Sequence, residues 1–419
     1  MSRLILSPLM MVMFNDNKVV IGNSENGGWM KIPADCYQIL KKAEEREMSS
    51  EELIENIHKD DRKYFETILT NLKQVGVLID KKEKDRILND FSLESVTIML
   101  TKRCNLYCKH CIVSAGTLKE KEFFSTDQIF SIIDKLGKCG LKHITLTGGE
   151  PLVRKDFKEI VHYIKEKWAM RIDLMTNGTL ITEDLADFLA ENISSINISL
   201  DGANEETCSV IRGKGTFRKV INAINNLHNV GFDNITLSIV ETKANLKCMD
   251  EFLALCNKLN VKPLRRIFEE SGRAEENREL LNKDSTDEPK NNIPDLSYEE
   301  LRRMTRGRTC GAGYNTLSID DKGNLSPCQV FLSPELTMGN IMEIDDLKQF
   351  LLSDYRHSIQ YKALKKYFPE NFEHCKSCNV NWFCWICPHE LELMIAGKKS
   401  LCEYCKARKP YLEKLVWGE

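Results

Sequence analysis

The sequence lacks a long apolar run and an excess of either charge. Across 419 residues, 59 Lys and Arg residues nearly balance 62 Asp and Glu residues, and the net charge is -3. Without a basic excess, the chain has no global electrostatic footprint for nucleic acid or for an anionic membrane. The longest apolar run near the start is Leu9–Phe14, which is far shorter than the roughly 20 residues of a membrane-spanning helix.

A secretory signal, internal repeats and low-complexity tracts are also missing. Arg3 and the apolar residues after it resemble a signal peptide only faintly. Ser7 and Pro8 interrupt that stretch, and no small-residue cleavage site follows it. The sequence therefore predicts a soluble cytoplasmic protein without nucleic-acid or membrane partners. Its 42% of apolar residues are sufficient for a sizeable core.

Cysteine, in contrast, is plentiful and unevenly placed. Of the 16 cysteines, three fall within eight residues and eight fall after residue 309. Tight clusters in a large cytosolic chain favour metal ligation over disulfides, whereas scattered cysteines are typically small buried hydrophobes. The clustered residues are Cys104, Cys108 and Cys111, then Cys310, Cys328, Cys375, Cys378, Cys384, Cys387, Cys402 and Cys405; the scattered ones are Cys36, Cys139, Cys208, Cys248 and Cys256.

Residues 1–88 have the pattern of a small α+β domain. Strands, three helices and a last short strand in this order predict a winged-helix module. A DNA-binding winged helix is the alternative, but the charges on its third helix are too balanced for strong phosphate binding. The predicted elements are strands at Leu9–Phe14, Lys18–Gly22, Gly28–Ile32 and Val77–Asp80, helices at Ala34–Glu47, Ser49–His58 and Asp60–Val75, and a charged linker at Lys81–Arg86.

Residues 89–268 alternate between strands and helices. Six such repeats predict a parallel sheet and a barrel that is not fully closed, because a complete eightfold barrel takes about 250 residues. The polar segment 269–299 is predicted to be a linker with solvated charges. Residues 300–419 have short apolar runs and need ligands to hold them together. The predicted strands are Val96–Leu100, His143–Leu146, Arg171–Met175, Ser195–Leu200, Ile235–Val240 and Pro263–Phe268, and the helices are Asp127–Cys139, Phe157–Lys167, Glu183–Ala190, Phe217–Val230 and Leu246–Asn260.

The first cysteine cluster directly follows the first barrel strand. Cys104, Cys108 and Cys111 therefore lie on a loop at the C-terminal face, where the active sites of barrel enzymes are found. A 4Fe-4S cluster takes four thiolates, so three leave one iron open to another ligand. A zinc site completed by His110 or by a distant residue is the alternative.

A glycine-rich turn follows the second strand on the same face. Gly148 and Gly149 allow the backbone to approach a ligand closely, and Glu150 can accept hydrogen bonds from an ammonium group. A Gly-Gly-Glu-Pro sequence alone would indicate only a turn. Its position one strand–helix repeat after the cysteine loop makes the combination highly specific.

The two motifs together resemble the radical S-adenosylmethionine (AdoMet) superfamily over about residues 95–268. Its loop reads C-x-x-x-C-x-φ-C with φ usually aromatic, and His110 occupies that position here. The resemblance implies a 4Fe-4S cluster on the three cysteines, whose open iron binds the amino and carboxylate groups of AdoMet. It also implies reductive cleavage to a 5′-deoxyadenosyl radical, with electrons from flavodoxin or ferredoxin. The implied cofactor contacts are Thr147, Gly148, Gly149, Glu150, Asn177, Ser199, Asp201 and Arg212, the last being equally well interpreted as a surface cation.

The C-terminal cysteines resemble the SPASM domain, which holds two auxiliary 4Fe-4S clusters and would bring the total to three. The family pattern has C-x3-C where this chain has C-x2-C, and it has one cysteine fewer at the end. A zinc knuckle is the alternative. By resemblance, Cys310, Cys328 and Cys387 belong to the first auxiliary cluster, Cys375, Cys378, Cys384 and Cys402 belong to the second, and Cys405 either completes the first or leaves it open for substrate.

The N-terminal module resembles the peptide-recognition element of enzymes that mature ribosomally made peptides. Such modules add a leader peptide as a strand at a sheet edge, here at Trp29–Ile32 against the third helix. The predicted fold is thus an α/β partial (βα)6 barrel between a winged-helix domain and a SPASM domain at residues 300–419. The expected reaction is a peptide crosslink, most simply from cysteine sulfur to carbon, and the sequence does not identify a catalytic base.

Four alternatives remain open. The product could be a carbon–carbon crosslink or another oxidative peptide modification. The chain could be a sulfatase-type maturase that makes formylglycine, which would not need the N-terminal module. A non-enzymatic metal scaffold or winged-helix regulator would have no use for Gly148, Gly149 and Glu150 beside the cysteine loop.

Overall fold

The structure is a computed structural model that describes residues 3–89, 91–282, 310–331, 333–384, 386–397 and 400–418. It consists of two compact units. One contains Met1–Phe91, Lys290–Gly311 and Lys362–Glu419, and the other contains Ser92–Pro289 and Ala312–Tyr361. Residues 283–299 of the predicted linker and residues 300–309 of the predicted C-terminal domain lie outside the described residues. No helix in the described ranges has the length and apolar character that crossing a membrane requires.

The N-terminal residues form the predicted strands and helices. Strands β2, β3 and β4 make an antiparallel sheet in that order, and β1 pairs with β5. Ser49 and Glu52 form the predicted capping box. The segment expected to be a charged linker is helical instead. The bounds are β1 Ile5–Leu6, β2 Met10–Asn15, β3 Lys18–Asn23, β4 Trp29–Pro33, α1 Ala34–Glu45, α2 Ser50–Asn56, α3 Arg62–Gln74, β5 Leu78–Ile79 and α4 Lys81–Asn89.

Strand β3 is buried on both of its faces. Because side chains alternate along a strand, Val19 and Ile21 point to one side and Val20 points to the other. Val19 and Ile21 belong to the core formed with the helices of the module. Val20 belongs to a second core, whose other members are Met13, Trp29, Val380, Trp382, Phe383, Leu412, Val416 and Trp417.

The second core joins the N-terminal sheet to the cysteine-rich C-terminal segment. At Gly22, an added Cβ atom would lie 1.9 Å from the Trp382 ring. The Trp382 backbone N–H donates to Met13 Sδ at 3.3 Å, and Asn379 Nδ2 donates to Asn15 Oδ1 at 3.0 Å. The sheet and the segment around the C-terminal cysteines therefore share one hydrophobic core.

The second unit is built on the predicted parallel sheet. All six predicted strands are present and pair in the order β11-β10-β9-β8-β7-β6. Helix α8 was not predicted. The bounds are β6 Ser95–Met99, α5 Thr126–Lys138, β7 His143–Thr147, α6 Phe157–Trp168, β8 Arg171–Thr176, α7 Glu183–Asn192, β9 Ser195–Ser199, α8 Glu205–Arg212, α9 Thr216–Asn229, β10 Ile235–Val240, α10 Met249–Lys258 and β11 Lys262–Arg266.

Three further strands extend this sheet beyond β6. Strand β12 pairs with β6 in parallel, and β13 and β14 follow in antiparallel pairing. The remaining elements are α11 Arg273–Glu276, α12 Arg278–Leu281, β12 Thr316–Ile319, β13 Asn324–Ser326, β14 Gly339–Asn340, α13 Leu347–Gln349, a π-helical turn at Phe350–Asp354, α14 Tyr355–His357, α15 Ile359–Lys365, α16 Glu373–Lys376, α17 Pro388–Ile395 and α18 Leu401–Trp417.

The two faces of the parallel sheet differ in chemistry. One face carries fully buried apolar side chains, for example Ile98 and Leu146, as expected for strands covered by crossover helices. The other, which we call the inner face, carries Thr145, Asn197 and Ser199 at alternating positions. The inner face is therefore polar, and it leads to the loops that follow the C-terminal ends of the strands.

Candidate functional site

The first cysteine cluster lies on the loop that follows β6, as predicted. Backbone hydrogen bonds hold this loop, from the Cys104 N–H to the Gly116 carbonyl at 3.0 Å and from the Gly116 N–H to the Lys102 carbonyl at 2.8 Å. Each sulfur has a donor directed at it, an arrangement that suits thiolates. The donors are the Leu106 N–H to Cys104 Sγ at 3.4 Å, the Ala115 N–H to Cys111 Sγ at 3.3 Å and Arg212 Nη1 to Cys108 Sγ at 3.7 Å.

Without iron, the thiols of Cys104 and Cys108 hold their protons. Burial raises the pKa of Cys104 to about 11, and burial also raises the pKa of Cys108. Iron binding must therefore displace protons from this loop. Within the described ranges, no three His, Cys, Asp or Glu side chains are arranged to hold a metal ion. The fit to a cluster therefore rests on three thiols in one loop and on the donors directed at their sulfurs.

The two glycines of the turn after β7 pack against the start of the cysteine loop. An added Cβ would lie 2.4 Å from the Thr101 carbonyl oxygen at Gly148 and 2.4 Å from the Arg103 carbonyl oxygen at Gly149. Both positions therefore require glycine because of close backbone contact within the protein. The Gly149 N–H also donates to the Thr101 carbonyl at 2.8 Å, which fixes the turn beside the loop.

Glu150 is fully buried at the centre of the site. Its carboxylate accepts hydrogen bonds from Thr176 Oγ1 at 2.7 Å and from the backbone N–H groups of Asn177 and Leu152 at 2.7 and 3.1 Å. Burial raises the pKa of this carboxyl to about 7 in spite of these donors. A carboxylate has about four lone-pair sites, so one remains for a further donor.

Asn177 connects Glu150 to the cysteine loop. Its backbone N–H binds Glu150, while its side-chain Nδ2 donates to Asn105 Oδ1 at 2.9 Å and lies 3.9 Å from Cys104 Sγ. The turns after β7 and β8 and the cysteine loop thus meet at one edge of the sheet. Thr147 and Ser199, at the last positions of β7 and β9, are half-buried on the same edge.

Asp201 and Arg212 form a buried ion pair beside the second cysteine. Asp201 Oδ2 accepts from Arg212 Nε at 2.6 Å and interacts with His110 Nε2, and Oδ1 accepts from the Val240 N–H at 2.6 Å. The neighbouring Arg212 and His110 hold the pKa of Asp201 well below its usual range despite burial. Because both of its oxygens have protein partners, Asp201 orients Arg212 toward Cys108.

The structure changes two interpretations drawn from the sequence, one for Arg212 and one for His110. Arg212 is 8% exposed, so its interpretation as a surface cation is wrong. The zinc alternative placed His110 among the ligands of the cysteine loop, but its Nε2 atom is directed at Asp201 instead. A positive φ of 59° at Asp201 gives the turn that places its carboxylate between these two residues.

Arg273 was not identified as a site residue from the sequence, because it lies in the segment predicted to be a solvated linker. This side chain is 4% exposed, and its Nε and Nη1 donate to the carbonyls of Cys108 and Ala115 at 3.1 and 2.7 Å. Its guanidinium stacks over Tyr107 at 3.9 Å from the ring centroid. Gly272, with a φ of 60°, allows the close approach to the loop. The only sequence signal for this contact was Gly272, directly before Arg273.

At least five C-terminal cysteines have neighbouring thiols, namely Cys375, Cys378, Cys384, Cys402 and Cys405. Burial, with the nearby thiols of Cys405 and Cys378, raises the pKa of Cys375 to about 11, and burial with the same neighbours raises that of Cys384 to about 12. Cys405 Sγ lies 3.6 Å from the Nε2 atom of His374, the residue before Cys375. Cys405 therefore faces the segment of Cys375, Cys378 and Cys384.

Cys402 is the second residue of helix α18 and lies three residues before Cys405. The buried face of this helix carries Tyr404, Leu412 and Val416, and Tyr404 packs in one cluster with Cys384. Cys402 is exposed, whereas Cys405 is partly buried. The assignment of Cys402 to the second auxiliary cluster remains a prediction from the resemblance, and Cys405, which neighbours Cys375 and Cys384, is a second candidate.

The other cysteines of the C-terminal pattern lie in short irregular segments. Cys328 follows β13 and is partly buried, and the backbone N–H groups of Val330 and Gln329 are directed at its sulfur. Cys387 is the N-cap residue of α17. Cys310 directly follows residues 283–309, which lie outside the described residues, and it is also partly buried.

A cysteine loop on a partial barrel, beside a buried Gly-Gly-Glu turn, is the architecture of an iron–sulfur enzyme that binds a small cofactor. Residues 98–256 match the Radical SAM superfamily, and residues 310–379 match the SPASM iron–sulfur cluster-binding domain. The mycofactocin maturase of Mycolicibacterium smegmatis is 31% identical over 302 residues, which are 68% of this chain and 74% of the relative. This chain belongs to the radical AdoMet superfamily and carries a SPASM domain.

Two further comparisons extend over more of the chain. The antilisterial bacteriocin subtilosin biosynthesis protein of Bacillus subtilis is 28% identical over 344 residues, covering 76% of this chain and 72% of the relative. The crystal structure of Streptococcus suis SuiB bound to AdoMet has a TM-score of 0.54 at 19% identity and covers 93% of this chain and 96% of that one. That likeness shows that the predicted α/β core with a C-terminal SPASM domain is correct. The winged-helix assignment of the N-terminal module remains a prediction.

Proposed function

We propose that this radical AdoMet enzyme matures a ribosomally made precursor peptide. The observation that carries the proposal is the cysteine loop and the Gly-Gly-Glu turn at one sheet edge, in a chain that also has a SPASM domain. The relatives support it, because one is a mycofactocin maturase, one is a bacteriocin biosynthesis protein, and SuiB has been solved with its precursor peptide SuiA. The substrate of this chain is accordingly a peptide.

In this proposal Cys104, Cys108 and Cys111 hold a 4Fe-4S cluster and Glu150 binds the amino group of AdoMet. When bound, the cluster and AdoMet supply one-electron cleavage and hydrogen abstraction from carbon. Glu150 has one lone-pair site left for an N–H group of this amine, and Arg212 places a positive charge beside Cys108. Thr147, Asn177 and Ser199 are further candidates for contacts to the cofactor, as are Gly148 and Gly149 through their backbone, while Asp201 positions Arg212.

Replacing Glu150 with Gln should weaken AdoMet binding and remove the part of its pH dependence that comes from this carboxyl. The N–H groups of the cofactor amine donate to the ionised carboxylate, whose pKa is about 7 before AdoMet binds. Ionisation of Glu150 should therefore raise the affinity of the wild type up to about tenfold from pH 6 to pH 7.5. Equilibrium dialysis of the reconstituted enzyme measures this profile, with the exposed Glu159→Gln as control. An unchanged profile in Glu150→Gln would contradict the assignment.

For the auxiliary clusters, we propose that Cys405 joins Cys375, Cys378 and Cys384. The support is the contact of Cys405 with His374 and the exposed position of Cys402. Cys310, Cys328 and Cys387 would then hold the first auxiliary cluster, which gives three clusters in the chain. Four thiolates complete the second auxiliary cluster, as a fully ligated 4Fe-4S cluster requires.

Single alanine variants at the two cysteines of α18 should separate these assignments. Cys405→Ala should lose iron from one cluster or convert it to a three-iron form, whereas Cys402→Ala should keep the full complement. Iron analysis with electron paramagnetic resonance and Mössbauer spectra of the anaerobically reconstituted variants measures both. The opposite outcome, with iron lost only in Cys402→Ala, would restore the assignment based on the family pattern.

The crosslink and the docking of the leader complete the proposal. We infer a bond from a cysteine sulfur to a peptide carbon, with a carbon–carbon bond and formylglycine as the alternatives. Strand β4 is an outer strand of the N-terminal sheet, and helix α3 contacts it. The leader would add to this edge, and a flavodoxin or ferredoxin would deliver electrons.

The experiment that tests the function uses candidate precursor peptides, which are those encoded by short reading frames beside the gene of this protein. Anaerobic turnover with AdoMet and dithionite should yield 5′-deoxyadenosine and a peptide lighter by two hydrogens. A thioether also removes one cysteine from iodoacetamide labelling, whereas a carbon–carbon bond leaves every thiol reactive. AdoMet cleavage without any change in the mass of this peptide, or of other small peptides encoded nearby, would overturn the proposed function.

A further inference from the structure

Arg266, the last residue of β11, extends its side chain across the inner face of the sheet. Its partner in the register is Val240 of β10, which belongs to the same alternating set as Ser238 and Ser199. The Arg266 Nη2 atom nevertheless lies 4.0 Å from the sulfur of Met175 on β8. Strands β10 and β9 separate β11 from β8, so the guanidinium must lie over the inner face to make this contact.

This guanidinium contacts no carboxylate within the described ranges. The charge of Asp201 acts on Arg266, but this carboxylate already binds His110, Arg212 and the Val240 N–H through its two oxygens. The adjacent Arg265 differs, because it is 43% exposed and forms an ion pair with Glu241. Arg266 is partly buried, and a partly buried cation that contacts no carboxylate of the described residues is costly. An anion that enters the site offsets this cost.

A second polar group of the inner face lacks a partner among the described residues. The Asn197 Oδ1 atom is buried, and no hydrogen-bond donor in the described ranges contacts it. Asn197 is paired in register with Met175, the residue that Arg266 approaches. The inner face therefore presents a cation and a hydrogen-bond acceptor that both neighbour Met175.

We propose that Arg266 and Asn197 form a carboxylate-binding site on the inner face of the barrel. Arg266 binds the carboxylate, and Asn197 accepts a hydrogen bond from a neighbouring N–H or O–H of the same molecule. Two molecules that enter the barrel carry this chemistry. One is the peptide substrate, through an acidic side chain or its C-terminus, which rests on the proposed function; the other is AdoMet, through its methionine carboxylate.

The test uses Arg266→Gln in the full-length, anaerobically reconstituted enzyme, with Arg265→Gln as the matched control. In one arm, equilibrium dialysis compares AdoMet with decarboxylated AdoMet. In the other arm, synthetic precursor peptides have each carboxylate replaced in turn by its amide, and peptide-stimulated formation of 5′-deoxyadenosine is measured. The wild type and Arg265→Gln should prefer the carboxylate form in one arm by about 30-fold or more, and Arg266→Gln should lose that preference.

The arm in which the preference disappears identifies the source of the carboxylate. Asn197→Asp should weaken binding in the same arm, because it places a negative charge beside the incoming carboxylate. If Arg266→Gln keeps the wild-type preference, or if the wild type has no carboxylate preference in either arm, the proposal is overturned. A wild type that no peptide stimulates would contradict the proposed function, and the AdoMet arm alone would then decide the role of Arg266.

Discussion

Changing Cys104, Cys108 and Cys111 together to alanine should abolish AdoMet cleavage and remove about a third of the bound iron. The three thiols lie in one loop, and each has a hydrogen-bond donor directed at its sulfur. The two proposed auxiliary clusters keep their own cysteine ligands, so the remaining two thirds of the iron should stay. Iron and sulfide analysis with chromatographic detection of 5′-deoxyadenosine measures both quantities.

The matched control for this variant is Cys139→Ala combined with Cys256→Ala. Both residues are buried in the same unit and lie outside the cysteine loop. This control should keep its full iron and its cleavage activity, although it loses some stability because two buried side chains become smaller. Stoichiometric zinc with little iron in the wild-type protein, or cleavage that survives the triple change, would refute the assignment of the loop.

Changing Gly22 to Val should remove iron from the second auxiliary cluster and leave AdoMet cleavage intact. The added side chain would overlap the Trp382 ring, and overpacking of a core typically costs about 1–3 kcal/mol. Trp382 lies between Cys378 and Cys384 in the sequence, so a displaced ring disturbs the segment that carries these two proposed ligands. The cysteine loop of the barrel belongs to the other compact unit and should keep its cluster.

Lys18→Val is the control on the same strand, because Lys18 is exposed and the change places a valine four residues from Gly22. Urea unfolding and iron content should stay near wild type in this control. The result to be expected for Gly22→Val is about one third less iron at a normal rate of AdoMet cleavage. Full iron content together with unchanged stability would show that the shared core does not support the cluster.

The sequence predicted the elements that depend on local chemistry. The capping box of Ser49 and Glu52 and the apolar strands of the barrel are signals within a few residues, and the structure contains them. Helix α4 was missed because its charged residues resemble a linker. The cysteine loop and the turn with Glu150 were found because each motif is contiguous in the sequence.

Features that depend on distant residues were not predictable in this way. The partners of Asp201 come from His110, Arg212 and Val240, and no short pattern connects these positions. Arg273 was assigned to a solvated linker because its buried contacts lie more than 150 residues earlier in the chain. Burial of both faces of β3 could be recognised only from the packing of the C-terminal segment on the sheet.

The parallel pairing of β12 with β6 has a consequence for synthesis of the chain. Strand β6 precedes the cysteine loop, and its outer neighbour is made only when Thr316–Ile319 emerge, about 220 residues later. At typical translation rates this delay lasts roughly 10 to 45 s, during which the backbone of β6 remains an unpaired edge. Unpaired edges recruit other chains, so slower growth at reduced temperature with abundant chaperones should raise the soluble yield of this protein.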